Sequence, residues 1–316
     1  MRPFIDLFCG AGGLTEGFKR AGWMPLCGVD VSYSAVQSYL ANHGWSAEGI
    51  IGSIEDPQIK RQIVHTYSGR VDAVVGGPPC QGFSDANHNR SEDDSRRSLP
   101  SRFIELAAEL GPEWIVMEEV PAARGLAPGW VAMLRDRGYA AKWAVLSAEK
   151  YGVPQRRQRL VMVARKGDEL PTNFPPVPTH DVPVSAGEAL RECDASEGAS
   201  KTGAMLEKVR MRAGMTKEQV GAMGYRPRNA YCVINMAEPA WTLTSCFTNP
   251  SGGRFVVGEG GDEYRRLSIR EGAALQSFGP DYHFCGSSTD IKRMVGNAVP
   301  PKLAEAVARW LEGIAG

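Results

Sequence analysis

The apolar run Phe4-Ile5-Asp6-Leu7-Phe8 passes directly into Cys9-Gly10-Ala11-Gly12-Gly13-Leu14, and then into a helical pattern from Thr15 to Ala21. Strand, glycine turn and helix in this order begin a β-α-β unit, which restricts the fold more than any other stretch of the chain. Glycines let a backbone approach a ligand closely, and the start of a helix offers N–H groups without intrahelical partners. After Gly22 a second apolar stretch, Met24 to Val29, ends on Asp30. Its distance from the turn suits a carboxylate that binds ribose hydroxyls at the tip of the second strand. Together these features point to a site for a nucleoside cofactor.

The alternation continues: a helix near Ser34 to Asn42, a strand at Val71 to Val75, a helix at Ser101 to Leu110, a strand at Trp114 to Met117, a helix at Val131 to Arg137 and a strand at Leu160 to Ala164. This predicts an α/β fold with a doubly wound, mostly parallel sheet covered on both faces. In such sheets ligands bind at the carboxyl ends of the strands, so Asp30, Cys80 and Glu118 should meet on one edge. The 316 residues allow one large domain with a smaller appendage. The proline-rich run Pro171 to Val184 ends the first unit, so residues 1–170 form a catalytic, cofactor-binding domain. Residues 185–236 lose the alternation and form a recognition region, and residues 237–316 return to the first domain. Pro300 and Pro301 open a last helix, whose Leu303, Ala306, Val307 and Trp310 are spaced to pack against the first.

With 43% hydrophobic and 23% charged residues the chain is globular. No apolar run approaches the roughly 20 residues that cross a bilayer, and MRPFIDLFCG leads into a strand instead of a signal peptide, so an intracellular, soluble protein is expected. The seven cysteines form no C-x-x-C pair, which predicts free thiols and no metal site. Net charge is zero. Basic residues nevertheless cluster at Arg90, Arg96 and Arg97, at Arg156, Arg157, Arg159, Arg165 and Lys166, and at Lys208, Arg210, Arg212, Lys217, Arg226 and Arg228. These are candidate contacts for a polyanion.

The segment Val74-Val75-Gly76-Gly77-Pro78-Pro79-Cys80-Gln81-Gly82-Phe83-Ser84 places one cysteine after a strand and two prolines. The prolines end the strand and aim the next side chain off the sheet edge, where a nucleophile would sit.

GGPPCQGFS resembles the nucleophile motif of the DNA cytosine carbon-5 methyltransferases, and the motif order of that family runs along nearly the whole chain. DLFCGAGGL resembles the S-adenosylmethionine loop, which implies cofactor contacts from Phe8, Gly10, Gly12, Gly13 and Leu14, with Asp30 at the ribose. Val31, Ser53, Ile54, Asn297 and Ala298 take the remaining cofactor-lining positions. Met117 to Val120 resembles the family's Glu-Asn-Val signature, which makes Glu118 the catalytic acid. Tyr151 to Arg159 resembles the Gln-x-Arg-x-Arg motif through Gln155, Arg157 and Arg159, and Glu238 to Ser245 resembles the segment that organises target recognition. The end of the chain, MVGNAVPPKLAEAVARW, resembles the motif that closes over the cofactor.

The resemblance implies chemistry suited to these residues. Cytosine is a poor nucleophile at carbon 5, and a thiolate adding at carbon 6 turns the ring into an enamine. Cys80 would supply the thiolate, with nearby arginines lowering its pKa. Glu118 would bind ring nitrogen 3, while Arg157 and Arg159 would bind the cytosine oxygen and a flanking phosphate. The target base lies in a stacked duplex and must be flipped out, with Gln81 to Leu99 as a lid. Gln81, Ser84, Gln155, Arg96 and Arg97 are the expected DNA contacts. The implied partner is double-stranded DNA, bound by a monomer in the prokaryotic cytoplasm or nucleoid, with a restriction endonuclease acting separately. The implied product is S-adenosylhomocysteine.

Two positions depart from the family pattern. Glu119 stands where the family has asparagine, and an ionised glutamate accepts hydrogen bonds but cannot donate them. Ser53 stands where the family has an aspartate that accepts from the adenine amino group, and serine accepts without the charge. An RNA cytosine methyltransferase of the same fold is the alternative within this chemistry. A DNA-binding homologue with impaired catalysis is the alternative outside it, opposed by the retention of Cys80, Glu118, Arg157 and Arg159. A nicotinamide-dependent dehydrogenase would also use the first β-α-β unit but needs no nucleophilic cysteine.

Overall fold

The computed structural model describes residues 1–79, 99–191, 193, 232–247, 255–260 and 263–315. At its centre lie β1 (Pro3–Leu7), β2 (Met24–Asp30), β3 (Glu48–Ile51), β4 (Ala73–Gly76), β5 (Trp114–Glu119), β6 (Tyr139–Ser147) and, beyond the short β7 (Gln155–Arg156), β8 (Gln158–Lys166). Seven of these form one sheet in the order β3-β2-β1-β4-β5-β8-β6. The pairs among β1 to β5 are parallel, whereas β8 runs antiparallel to both β5 and β6. The predicted mostly parallel sheet is present, and its parallel run stops at β5.

Helices cover both faces, as the two-residue period of a buried strand requires. Ile5, Val74 and Ile115 face one core with residues of α3 (Pro57–Tyr67), α4 (Leu99–Leu110) and α5 (Ala127–Arg135). Their neighbours Phe4, Val75 and Val116 face the opposite core with Leu14 and Phe18 of α1 (Gly13–Arg20). That second core is completed by Leu303, Val307 and Leu311 of a helix from Pro301 to Ala315. At the crossing a Cβ on Gly17 would fall 2.4 Å from Ala304 Cβ, so the glycine permits the close helix contact. The expected return of the C-terminal helix to the first helix is therefore present.

Local chemistry sets the boundaries. α2 (Tyr33–His43) starts where the Ser32 hydroxyl accepts from Ala35 N, and α3 starts at Pro57 with the Asp56 carboxylate accepting from Gln58 N. A third core gathers Ala186 and Leu190 of α6 (Ala186–Leu190), Phe247, Leu275 of α7 (Ile269–Leu275) and Val295 of α8 (Ser288–Asn297). The helix 301–315 is accordingly α9. β9 (Cys232–Val233), β11 (Phe255–Gly260) and β12 (Glu263–Arg266) form a small separate sheet, while β10 (Ala240–Trp241) pairs with β7.

Candidate active site

The order of the sheet reverses between β1 and β4, so the crevice beyond their carboxyl ends is the natural ligand position. The loop after β1 is held in an uncommon form. Phe8 has φ 67°, Gly10 φ 52° and Gly12 φ 92°. For Phe8 this left-handed conformation costs about 1–2 kcal/mol, and it persists because the next amide, Cys9 N, is tied to Val29 O at 3.0 Å. A Cβ on Gly12 would fall 2.7 Å from His43 Nε2 and 2.8 Å from the Tyr282 hydroxyl oxygen. Those two side chains form the floor of the loop: Tyr282 donates its hydroxyl to Ala11 O at 2.5 Å and lies 3.0 Å from His43 Nε2. Burial holds His43 down to about 3, so its ring is neutral and donates through Nε2 to the Tyr282 oxygen.

Asp30 is fixed from two sides. Its carboxylate accepts from Gly10 N at 3.0 Å and from Ser32 N at 2.8 Å. Burial raises its pKa, and these amides oppose the rise. The neighbouring Val31 is 66% exposed, an apolar side chain presented at the strand tip. Asp30 O also accepts from Gly52 N, which carries Ser53 and buried Ile54 to the same edge. The Ser53 hydroxyl accepts from Glu55 N at 3.2 Å. A Cβ on Gly13 would fall 2.4 Å from Val299 O, so this glycine admits the backbone after exposed Asn297 and half-buried Ala298. Of the predicted cofactor residues, Phe8, Gly10, Gly12, Gly13, Asp30, Val31, Ser53 and Ala298 lie in or beside the segments at the carboxyl ends of β1 to β3, Asn297 is exposed, and Leu14 and Ile54 are buried in the cores on opposite faces of the sheet.

Glu118, near the end of β5, is 8% exposed and forms an ion pair with Arg159 of β8, Glu118 Oε1 to Arg159 Nε 2.6 Å. Burial pushes the Glu118 carboxyl up, while the guanidinium groups of Arg159 and Arg157 pull it back. Its other oxygen would lie 3.0 Å from a Cβ on Gly77, so Glu118 borders the Gly77-Pro78-Pro79 step at the end of β4. The next residue, Glu119, is 1% exposed. Its Oε2 accepts from Val120 N at 2.9 Å, and burial raises its carboxyl to about 8. Glu119 pairs with Leu160 and Glu118 with Val161, so the two carboxyls point to opposite faces of the sheet, and Glu119 is buried because that face is covered too.

Two expectations are corrected. Gln155, expected at DNA, is fully buried and donates to Leu275 O and Gln276 Oε1 while accepting from Leu243 N. Arg157, expected at the cytosine oxygen or a phosphate, is also fully buried and donates to the carbonyls of Leu243, Gly296 and Ala298. A fully buried guanidinium whose Nη1 and Nη2 donate to backbone carbonyls joins segments of the chain and is not presented at the surface. Arg159 alone of the two arginines reaches the catalytic edge.

Cys80, Gln81, Ser84, Arg90, Arg96 and Arg97 lie outside the described residues, as do Lys208, Arg210, Arg212, Lys217, Arg226 and Arg228. Among the described residues no group of His, Cys, Asp and Glu could hold a metal ion, and no helix is long and apolar enough to cross a membrane.

Several site residues were beyond reach of the sequence. His43 and Tyr282 are 239 positions apart, and Gln276 meets Gln155 across 121. Neither spacing leaves a local signal. Asp6, within the first strand, is also buried; its carboxyl accepts from Thr15 Oγ1 at 2.7 Å and burial raises it to about 7. A lone acid inside an otherwise apolar strand was the available hint.

A model of the family described as C-5 cytosine-specific DNA methylase matches residues 3–312. The type II methyltransferase M1.HphI of Haemophilus parahaemolyticus is 33% identical to this chain, with 96% of this chain and 85% of that protein covered. The type II methyltransferase M.AplI of Arthrospira platensis is 32% identical, covering 96% of this chain and 84% of its own length. Among solved structures, the Entamoeba histolytica methyltransferase EhMeth matches with a TM-score of 0.77 at 15% identity, covering 100% of this chain and 99% of its own. At that identity the likeness speaks to the fold.

Proposed function

This chain belongs to the C-5 cytosine-specific DNA methylases, and from that membership we propose that Cys80 is its nucleophile, Glu118 its acid and Arg159 the residue that holds Glu118 in place. DNA methylation at cytosine carbon 5 is its activity. The observation that carries the assignment of roles is the buried 2.6 Å Glu118–Arg159 pair beside Gly77, three residues before Cys80.

The thiolate of Cys80 adds to carbon 6 of a flipped-out cytosine, and the ring electrons move toward carbon 5 and nitrogen 3. Glu118, its carboxyl raised by burial, holds a proton at nitrogen 3 and so stabilises the charge that develops there. Arg159 fixes the direction of that carboxyl and limits its pKa rise. Once carbon 5 carries its methyl group, a base removes the proton there, and the electron pair returns to expel the Cys80 thiolate.

The residues at this strand edge suit S-adenosylmethionine: Gly12 and Gly13 let the loop lie close against His43, Tyr282 and the backbone at Val299, Asp30 offers a carboxylate for ribose hydroxyls, and exposed Val31 offers an apolar surface for a base. That cofactor supplies an electrophilic methyl group on a sulfonium and leaves as S-adenosylhomocysteine. Residues 1–170 and 237–316 form the catalytic unit of this reading, with 185–236 recognising a specific sequence in double-stranded DNA. In this reading the enzyme acts as a monomer in the prokaryotic cytoplasm, with a restriction endonuclease acting separately.

Incubation with labelled S-adenosylmethionine and DNA containing 5-fluorocytosine tests this directly. A covalent adduct that forms with the parent and not with Cys80→Ser is expected; an equal yield from both would overturn the assignment. Methyl incorporation into RNA alone would favour the RNA enzyme, and no incorporation into either would favour a binding protein.

A further inference from the structure

Glu119 is a carboxyl that the mechanism does not use, and its surroundings are unusual for one. Of the two adjacent glutamates at the end of β5, among the described residues only Glu118 has an ion-pair partner; Arg159 lies against it at 2.6 Å. Glu119 has one short bond, from Val120 N to Oε2, and among the described residues its Oε1 is buried without a hydrogen-bond partner. A carboxylate withdrawn from water costs several kcal/mol unless a cation or several donors compensate, and a group in that position takes up a proton instead. The oxygen that accepts from Val120 N is the carbonyl oxygen, which leaves the proton on Oε1 and makes Glu119 a buried hydroxyl donor.

The charged groups that bear on Glu119 are Glu118 on its own strand and Arg159 on β8. Glu119 faces Leu160 across the strand pair and Glu118 faces Val161, so the antiparallel partner brings no other charge into register. Of these groups, Glu118 disfavours a second negative charge and Arg159 is already engaged. Burial is the largest influence on Glu119 and holds it protonated up to about 8.

We propose that Glu119 is a positioning residue that works as a neutral carboxylic acid, and that its ionisation in alkaline solution weakens the site by placing a second negative charge on the residue next to Glu118 in β5, on the far face of the sheet. A neutral acid at this position can donate, as an amide can, which accounts for a glutamate standing where the resemblance places asparagine. Ionisation would remove that donor and oppose negative charge at the adjacent Glu118 through the strand. The inference rests on the role proposed for Glu118.

Two measurements on the full chain test it. The first is the pH profile of kcat for parent and Glu119→Gln. The parent is expected to lose about tenfold per pH unit on the alkaline side, while the ratio of alkaline to neutral kcat stays flat in the variant. The same alkaline decline in both would overturn the proposal. The second does not depend on turnover: an infrared difference spectrum, parent minus Glu119→Gln, read in the carboxylic acid region. A protonated carboxyl band present at neutral pH and lost on alkalinisation supports the inference. A band for ionised carboxylate alone at neutral pH overturns it, even if the catalytic roles of Cys80 and Glu118 stand.

Discussion

Arg157 Nη2 donates to the carbonyl oxygen of Gly296 at 2.9 Å, joining residues 139 positions apart. The contact depends on Gly296 lacking a side chain: a Cβ there would fall 2.1 Å from Thr244 O. Through Arg157 the segment before β8, the segment at Leu243 and the end of α8 form one unit behind the cofactor crevice. Arg159, two residues on, turns instead to Glu118. The pattern that suggests two equivalent arginines hides one that joins backbone segments and one that orients an acid.

Arg157→Gln and Arg159→Gln should therefore fail differently. Loss of the buried Arg157 fork leaves carbonyls without donors and should cost about 2–4 kcal/mol of stability, read by chemical denaturation. Arg159→Gln leaves the buried Glu118 without its cation, so it should also lose stability unless Glu118 takes up a proton, but its signature is a kcat reduced by roughly 10²–10⁴-fold, the range for a disturbed acid. A stable, fully active Arg157→Gln would remove the structural role assigned here.

Tyr282→Phe deletes the hydroxyl that holds Ala11 O and takes away the acceptor facing His43 Nε2. One buried donor without a partner costs about 1–3 kcal/mol. The expected result is weaker binding of S-adenosylmethionine by calorimetry, with kcat at saturating cofactor changed far less than KM.

Ser53→Asp should strengthen cofactor binding. The serine hydroxyl accepts locally from Glu55 N and carries no charge, whereas an aspartate adds a charge-assisted acceptor at the same strand-end crevice. A gain of about 1 kcal/mol, roughly fivefold in Kd, is expected from calorimetry.

Stability should depend on pH through two buried groups of opposite sign. His43 is lowered from 6.5 to about 3, so between those values the unfolded chain binds the extra proton; this share of stability is present above 6.5 and lost as pH falls toward 3. Glu119 is raised from 4.5 to about 8, so the folded chain binds the extra proton there; this share is present below 4.5 and lost as pH rises through 8. Denaturation of Glu119→Gln against pH should show less alkaline loss than the parent, and an identical slope would exclude a buried neutral acid.

Much of the crevice was legible because its signals are local. Gly10, Gly12 and Asp30 sit within one β-α-β unit, where strand, turn and helix follow each other in sequence. β3, α3 and β6 were not anticipated. β3 and β6 are the sheet's two edge strands, β3 with only Ile50 buried among its four residues and β6 with a mostly half-exposed pattern, and α3 buries only Ile63 and Tyr67. Such elements take their form from neighbours more than from their own periodicity. Gln155 and Arg157 were misplaced for a related reason: their partners at Leu243, Leu275 and Gly296 are distant in sequence, and a polar residue looks the same whether it meets water or a buried carbonyl.

The packing of α9 on α1 also ties two distant stretches of the chain together. Phe4 and Phe18 share their core with Leu303, Val307 and Leu311, so that face of the sheet is covered only when segments far apart in sequence have packed. The contacts that build the cofactor loop are local, but the layer beneath it is not. Loosening α9 would therefore open the underside of the loop to water without touching any residue of the loop itself.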